Sequence, residues 1–415
     1  ILPPQGAPPS SRPRTGAMLA NAPAFAGAPA CSTMTHPIYL DHHSTTPVDP
    51  RVLDAMLPFF REHCGNASSR SHSFGRTAAA AVEEARERVA QAIGARYSEI
   101  VFTAGATESN ALAIKGNANL RPGAHLVTTA IEHRSVLDAC RRLEAEGWPL
   151  SVVPVDRFGR VDPHDVRHAL RPDTALVSVM AANNEIGTVQ PIAAIGAIVR
   201  AAGALFHVDA TQALGRVPLD VDAASIDLLS LSAHKLYGPK GVGALYVRRR
   251  PRKIELRPLI EGGGQENGLR PGTLNVPGIV GMGVACELAV RAIDEECTRL
   301  RGLRERLFSA LVRGLDGIAL NGHPDDRLAG NLNVAIDGVE ADALLLGLGE
   351  VAVSAGAACS TGSAKASHVL EAIGAAGGAA RASLRFGIGR FNTAEEIDRA
   401  ARLVVERVQV LRRLR

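Results

Sequence analysis

The chain has 415 residues, 46% hydrophobic and 21% charged, with a formal net charge of +4. The length suits two or three domains around a large core, and the composition is that of a soluble globular enzyme. The small net charge gives no electrostatic case for direct nucleic-acid binding, and no apolar run is long enough to span a bilayer.

Six cysteines, at 31, 64, 140, 286, 297 and 359, show no CxxC spacing. That argues against a zinc site and against a disulfide framework, and it fits a reducing compartment. The cytoplasm is the expected location, with the mitochondrion as the alternative.

Residues 1–33 are rich in Ala, Pro and Gly, carry Arg12 and Arg14, and contain no acidic residue. Such a segment cannot bury enough surface to fold. It reads either as sequence ahead of a start near Met34 or as an organelle transit peptide. Beyond it the expected organisation is a large domain over 51–290 and a smaller one built from 34–50 with 291–415.

Ile38 to Asp41 is a short strand, and His42 to Pro47 a turn. Two adjacent histidines on extended chain point to opposite faces and make a poor chelate, so no metal site is expected. The spacing of Val82, Ala85, Val89 and Ile93 predicts a helix over Thr77–Ile93, stopped by Gly94. Glu99 to Thr103 is a strand running into Ala104-Gly105-Ala106-Thr107-Glu108-Ser109-Asn110, a tight turn that opens a helix. Glycine lets the backbone approach an anion, the helix N-terminus offers free N–H groups, and Thr107 adds a hydroxyl. This is a candidate phosphate cradle, and neither a P-loop nor a dinucleotide fingerprint.

Further strands follow at Leu126–Thr129, Ala175–Met180, Ala204–Val208, Leu228–Ser232 and Val242–Val247, with a helix over about 135–146. Helical stretches separate most of them, the alternation of a mainly parallel sheet. Thr107, His133, Asn184, Asp209, Gln212, Ser232, His234 and Lys235 all stand just past strand carboxyl ends. In a parallel sheet those ends share one edge, so these residues converge on one crevice. His133 alone reads as a general acid/base, a lid over a ring, or a satisfied polar residue. Lys235 sits where a strand meets a Gly-Pro-Lys-Gly turn, and partial desolvation there would free its amine for Schiff-base chemistry. An anion cradle, a carboxylate and such a lysine are what pyridoxal phosphate requires.

Arg248-Arg249-Arg250-Pro251-Arg252-Lys253 reads as a solvated corner, with a docking patch for an acidic partner or tRNA as the alternative. The glycine-rich stretch from Glu261 to Thr273 reads as a linker or a second phosphate contact. From about Arg291 the chain is helical and charged. A strand at Asn331–Ile336 and a final helix follow, the latter with a Thr393/Glu396 capping box and a buried face of Ile397, Ala400, Val404, Val408 and Leu411. Within this unit Cys359 lies among small residues, Gly356-Ala357-Ala358-Cys359-Ser360-Thr361-Gly362, which is loop material able to present a nucleophile. Arg385, in Ser383-Leu384-Arg385-Phe386-Gly387, offers a fork for a substrate carboxylate.

Taken together, these stretches resemble the cysteine desulfurases, the NifS/IscS-like branch of the fold-type I pyridoxal-phosphate enzymes in the class-V aminotransferase superfamily. The resemblance runs from Ile38 nearly to the end. It includes Tyr39-Leu40-Asp41 with Thr45-Thr46-Pro47, Ser71-His72-Ser73-Phe74-Gly75, Asn183-Asn184-Glu185-Ile186-Gly187, His207-Val208-Asp209-Ala210-Thr211-Gln212, Ser232-Ala233-His234-Lys235 and Gly272-Thr273-Leu274.

It implies an α/β fold with a mainly parallel sheet in the large domain and a smaller α+β C-terminal domain. It also implies roles. Lys235 would hold pyridoxal 5'-phosphate and move the Cα proton, and Asp209 would pair with the ring nitrogen. Gln212 and Asn184 would reach the ring hydroxyl, and His133 would stack on the ring and shuttle protons. Ala106, Thr107, Ser232 and His234 would hold the phosphate, joined by Thr273 of a neighbouring subunit in a homodimer. Arg385, with Asn184, would bind the substrate, and Cys359 would take the sulfur of L-cysteine as a persulfide, releasing alanine. The sulfur would pass to an acceptor protein, an iron–sulfur scaffold or a tRNA-thiolation relay. Pro271, Gly387 and Ala67 depart from the usual pattern without removing a reacting group. The alternatives are a selenocysteine lyase or related lyase and, in a different class, a non-catalytic sulfur-transfer scaffold.

Overall fold

The computed structural model describes residues 37–118, 122–355, 367–375, 380 and 382–414. The leader over 1–33 and the cysteine loop with Cys359 lie outside the described residues. β1 (Ile38–Tyr39) is the first element of the described residues and pairs with a strand more than three hundred residues further on.

The central sheet has seven strands: β2 (Ile100–Thr103), β3 (His125–Thr129), β4 (Leu150–Val153), β5 (Thr174–Met180), β6 (Leu205–Asp209), β7 (Leu228–Ser232) and β8 (Gly243–Val247). Their order is β2-β8-β7-β6-β5-β3-β4. Every residue of β2, β3, β5, β6, β7 and β8 is buried, while the edge strand β4 is only partly so. Strands covered on both faces need apolar side chains on both, hence runs such as Leu176-Val177 and Leu228-Leu229 in place of alternation. Only β8 runs antiparallel to its neighbours, since no crossover helix intervenes between it and β7. Across β5, β6 and β7 the His207 ring bridges Ser178 at 2.8 Å and Ser230 at 2.9 Å, a polar thread inside the sheet.

Helix Ser73–Gln91 packs against helix Val276–Arg291 on small residues. A methyl group at Gly283 would sit 2.7 Å from the Ala85 Cα. At the end of β2, Arg86 and Glu266 form a buried fork pair at 2.7 Å, and Glu266 also accepts from the Phe102 N–H at 2.7 Å. One charge neutralises the other there, without which neither tolerates burial.

The remaining strands are β9 (Ile318–Asn321), β10 (Asn331–Ile336), β11 (Val351–Ala352), β12 (Ser354–Ala355) and β13 (Ser383–Gly387). Four of them form an antiparallel sheet, β12-β13-β10-β9, and β11 pairs parallel with β1. Leu300, Leu307 and Leu311 of helix Ile293–Gly314 and Ile397, Val404 and Val408 of helix Ala394–Arg413 pack with Phe386 and with Ile38 and Leu40. The Thr393/Glu396 capping box forms, and of the predicted face only Leu411 is partly exposed.

Several details differ from the sequence reading. The first long helix runs Ser73–Gln91, beginning four residues early because the His72 side chain caps it. β4, β9 and the helices Pro163–Ala169 and Ile192–Ala201 were not anticipated. The basic corner is not uniformly solvated. Arg248 is buried, paired with Asp222 and Asp227 and donating to the carbonyls of Val221 and Ile226. Among the described residues no single helix is long and apolar enough to cross a membrane.

Candidate active site

The carboxyl ends of β2, β5, β6 and β7 border a cavity of about 900 Å³. Ala106, Thr107, His133, Asn184, Asp209, Gln212, Ser232, His234, Lys235 and Arg385 all line it. Thr273 does not; it is exposed on the 262–273 loop of this chain.

Lys235 closes a 3-10 turn, Ala233–Lys235, directly after β7. Its Nζ donates to the carbonyl of His43 at 2.7 Å and to that of Ser44. The turn is clasped from outside. Thr46 donates its N–H and hydroxyl to the His234 carbonyl, both at 3.0 Å, and Arg216 donates to the Lys235 carbonyl at 2.8 Å. Tyr237 holds a left-handed backbone at φ 62°, fixed by its N–H to Thr46 Oγ1 at 2.8 Å and by the Arg390 guanidinium 4.3 Å above its ring. Such strain persists only where surroundings over-determine it.

On the opposite wall, Asp209 ends β6. Its carboxylate accepts from the Thr211 N–H at 3.0 Å and from Asn110 Nδ2 at 2.8 Å. The turn Ala104–Gly105 opens helix Ala106–Ala118, whose first N–H groups have no partner within the helix. Gly105 has φ +153°, and β8 begins so close to it that a methyl at Gly243 would lie 2.6 Å from the Gly105 Cα. His234 shares a hydrogen bond with Thr45 Oγ1 at 3.0 Å, and burial with the charges of Lys235 and Lys240 pushes its imidazole down to about 4. It is therefore neutral at physiological pH.

Arg385 on β13 is 3% exposed. Its fork donates to the Asn184 carbonyl at 3.0 Å, to Asp41 at 2.8 Å, to Ser44 Oγ at 2.7 Å and to Ser354 Oγ at 3.1 Å. Its Nε has no partner among the described residues. The Gln212 amide is bound within the protein. Its Nε2 donates to the His43 carbonyl at 2.9 Å, and its Oε1 accepts from Arg216 at 2.9 Å and meets His43 Nδ1 at 3.1 Å. The two histidines of the first turn are buried, and burial lowers His42 to about 4 and His43 well below its ordinary value.

Sequence reasoning missed the supporting shell: Asp41, Ser44, Asn110, Ser135, Glu132 and Glu185. Asn110 offered a signal, since an asparagine inside a helix is unfavourable unless its amide has work to do. Both flanks of segment 356–366 are tied to this shell. Ser354 donates to Asp41 at 2.8 Å, Ser367 to the Glu185 carboxyl, and His368 Nε2 to the Glu132 carbonyl at 2.9 Å. Burial pushes Glu185 up to about 7, against the pull of the Ser367 hydroxyl.

Glu132 is the most deeply enclosed carboxyl of the group. Burial pushes it up to about 8, although Thr129 and the Met180 N–H donate to its Oε1. Below about pH 4.5 both states are protonated. Between about 4.5 and about 8 the unfolded chain releases a proton that the folded one keeps, so stability falls through that window and levels off above it. Glu132→Gln keeps the accepting oxygen and removes the titration. The expected result is a variant that gains stability relative to the parent on going from about pH 4.5 to about 8, because the parent alone loses it through that window. Urea unfolding at the two pH values reads it, and a difference between variant and parent that is the same at both contradicts the assignment.

Comparison with known proteins meets this geometry. The family described as aminotransferase class-V matches residues 38–400. A cysteine desulfurase IscS from Anaeromyxobacter dehalogenans (strain 2CP-C) is 55% identical over 383 residues, 92% of this chain and 95% of the relative. A solved NifS-like protein is 38% identical with a TM-score of 0.84, covering 90% of this chain and all of its own. A solved SspA in complex with cysteine is 38% identical with a TM-score of 0.75, covering 86% of this chain and all of its own.

Proposed function

The chain belongs to the class-V aminotransferase family and, within it, to the cysteine desulfurases, and on that premise we propose that it takes the sulfur of L-cysteine onto Cys359 and releases L-alanine, with pyridoxal 5'-phosphate held on Lys235. The observation that carries the reading is the convergence of Lys235, Asp209, the Gly105–Thr107 turn and Arg385 on one cavity.

The residues fit that cofactor. A helix N-terminus with Thr107, Ser232 and a neutral His234 beside it suits a phosphate. Asp209 is a carboxylate with lone pairs left after its two hydrogen bonds, suited to a protonated ring nitrogen. Lys235 supplies an amine for the aldehyde. When bound, pyridoxal phosphate withdraws electrons from the substrate Cα and makes the neighbouring C–S bond labile.

The protein does the rest. The guanidinium of Arg385, which borders the cavity, is the donor for the substrate carboxylate, and Asp41, Ser44 and Ser354 hold it to receive that group. Lys235 Nζ, steadied by the His43 and Ser44 carbonyls, holds or moves the proton of Cα. The Cys359 thiolate supplies the electron pair of a new S–S bond, the C–S pair stays with substrate Cβ, and a proton there completes the methyl group of alanine. A carbonyl of Asn184 pinned to Arg385 places that residue where substrate and cofactor meet.

The same reading extends to a homodimer in which Thr273 of each protomer completes its partner's phosphate site, consistent with its exposure here. It extends also to a reducing compartment and to delivery of the sulfur to an acceptor protein for iron–sulfur cluster assembly or tRNA thiolation. The test incubates purified enzyme with L-cysteine and measures alanine alongside protein-bound persulfide. In Cys359→Ser the persulfide is expected to vanish while the cofactor's visible band remains, because a serine hydroxyl cannot form the S–S bond. Undiminished persulfide in that variant overturns the choice of nucleophile.

A further inference from the structure

Asn110 divides one amide group between two partners. Its Nδ2 donates to Asp209 Oδ2 at 2.8 Å and to Ser135 Oγ at 2.8 Å. The Ser135 oxygen is thereby an acceptor, and its own proton is left for His133 Nδ1, 2.8 Å away. The Ser135 backbone N–H donates to the same nitrogen at 3.1 Å, because His133 is the N-cap of helix Arg134–Ala145. Two donors therefore converge on His133 Nδ1.

A nitrogen that accepts two hydrogen bonds carries no proton, so the neutral ring bears its hydrogen on Nε2. Protonating Nδ1 would set N–H against N–H, and it would place a cation at the positive end of a helix. The electrostatic surroundings agree. Burial lowers the imidazole below its ordinary value; Lys235 and His368 oppose its charging, and Asp209 and Asp138 favour it without prevailing.

We propose that Asn110 and Ser135 are positioning residues that lock His133 as a neutral Nε2–H donor, so that it serves the cofactor as a fixed donor and stacking ring and takes up no proton during turnover. This rests on reading the cavity as a pyridoxal-phosphate site. It differs from the shuttling role that the family resemblance implies, and it leaves the Cα proton to Lys235.

The test reads the ring directly, in the cofactor-free protein. Two-bond proton–nitrogen correlations of histidine-labelled enzyme, with His133 assigned by its loss in His133→Gln, give the tautomer. Expected for the native protein is an unprotonated Nδ1 and a protonated Nε2 in the neutral ring, with any titration lying below that of a free imidazole. In Asn110→Ala the Ser135 hydroxyl is released to turn and accept, so Nδ1 keeps only the backbone donor, its protonated form gains population and the midpoint rises. Ser135→Thr restores the native pattern and Ser135→Ala does not. In the loaded enzyme the acid limb of kcat shifts upward in Asn110→Ala and in Ser135→Ala, and stays in place in Ser135→Thr. A native His133 that titrates at or above a free imidazole, or that carries its neutral proton on Nδ1, or an Asn110→Ala ring unchanged from the native one, overturns the proposal. Because the tautomer is read without cofactor or cysteine, a failed desulfurase assay leaves this result standing on its own.

Discussion

Lys235→Ala is expected to lower the rate of alanine release by on the order of a thousandfold or more, and to abolish the absorption band of covalently held cofactor. Among the described residues no other amine is placed to substitute. Lys240 also lines the cavity, but it is exposed and lies beyond the Gly238-Pro239 turn. The phosphate side does not depend on Lys235, so the variant should still bind pyridoxal phosphate reversibly, with dialysis removing what the native protein retains. The fold should survive. The truncated side chain is half-buried, and the carbonyls of His43 and Ser44 that it leaves can turn to water in the cavity. A variant that keeps its band after dialysis, or that turns over within tenfold of the native rate, would remove Lys235 from its role.

Asp209→Asn is the second large effect. Asparagine keeps an oxygen for the Thr211 N–H but loses the negative charge that a protonated ring nitrogen requires. Preorganised charge at a buried site is worth about 10²- to 10³-fold in rate, and a loss of that size is expected in kcat. Stability should change much less, by about 1–3 kcal/mol, because one of the two donors now facing the asparagine amide loses its acceptor. Rate and urea midpoint must therefore separate. Equal losses in both would mean that Asp209 serves packing alone.

Much of this site was legible in the chain because the fold places chemistry at the ends of buried strands. Leu228-Leu229-Ser230-Leu231-Ser232 needs apolar residues on both faces, and the abrupt change to His234-Lys235 marks its rim. Asp209 and Thr107 stand out for the same reason. Less visible were residues whose partners lie far along the chain. Asp41 meets Arg385 across 344 positions, and no local pattern announces such a pair. Glu132, Ser135 and Asn110 look like ordinary polar residues near helix starts, Glu185 like one of a turn, and only their enclosure gives them meaning. Arg248 misled in the other direction. It opens a basic run in which Arg250, Arg252 and Lys253 are exposed, yet the end of β8 draws it inward to Asp222 and Asp227. β4 and β9 were missed because an edge strand of four residues carries too little periodicity to distinguish it from loop.

The pairing of β1 with β11, and of Asp41 with Gly387 beyond it, has a consequence for synthesis. A ribosome releases Ile38 to Asp41 more than three hundred residues before their partners. Until the C-terminal strands emerge, β1 has no strand to pair with and Asp41 no arginine, although the turn behind them can already close on His234 and Tyr237. Bringing such distant stretches together is slow, as loop-closure entropy must be overcome before any contact rewards it. The nascent polypeptide therefore holds a nearly finished central sheet with an open entrance, exposing apolar surface that a chaperone would recognise. Chains that stall or are cut before Ser383 should fail to ripen into enzyme, however complete the rest of the pocket.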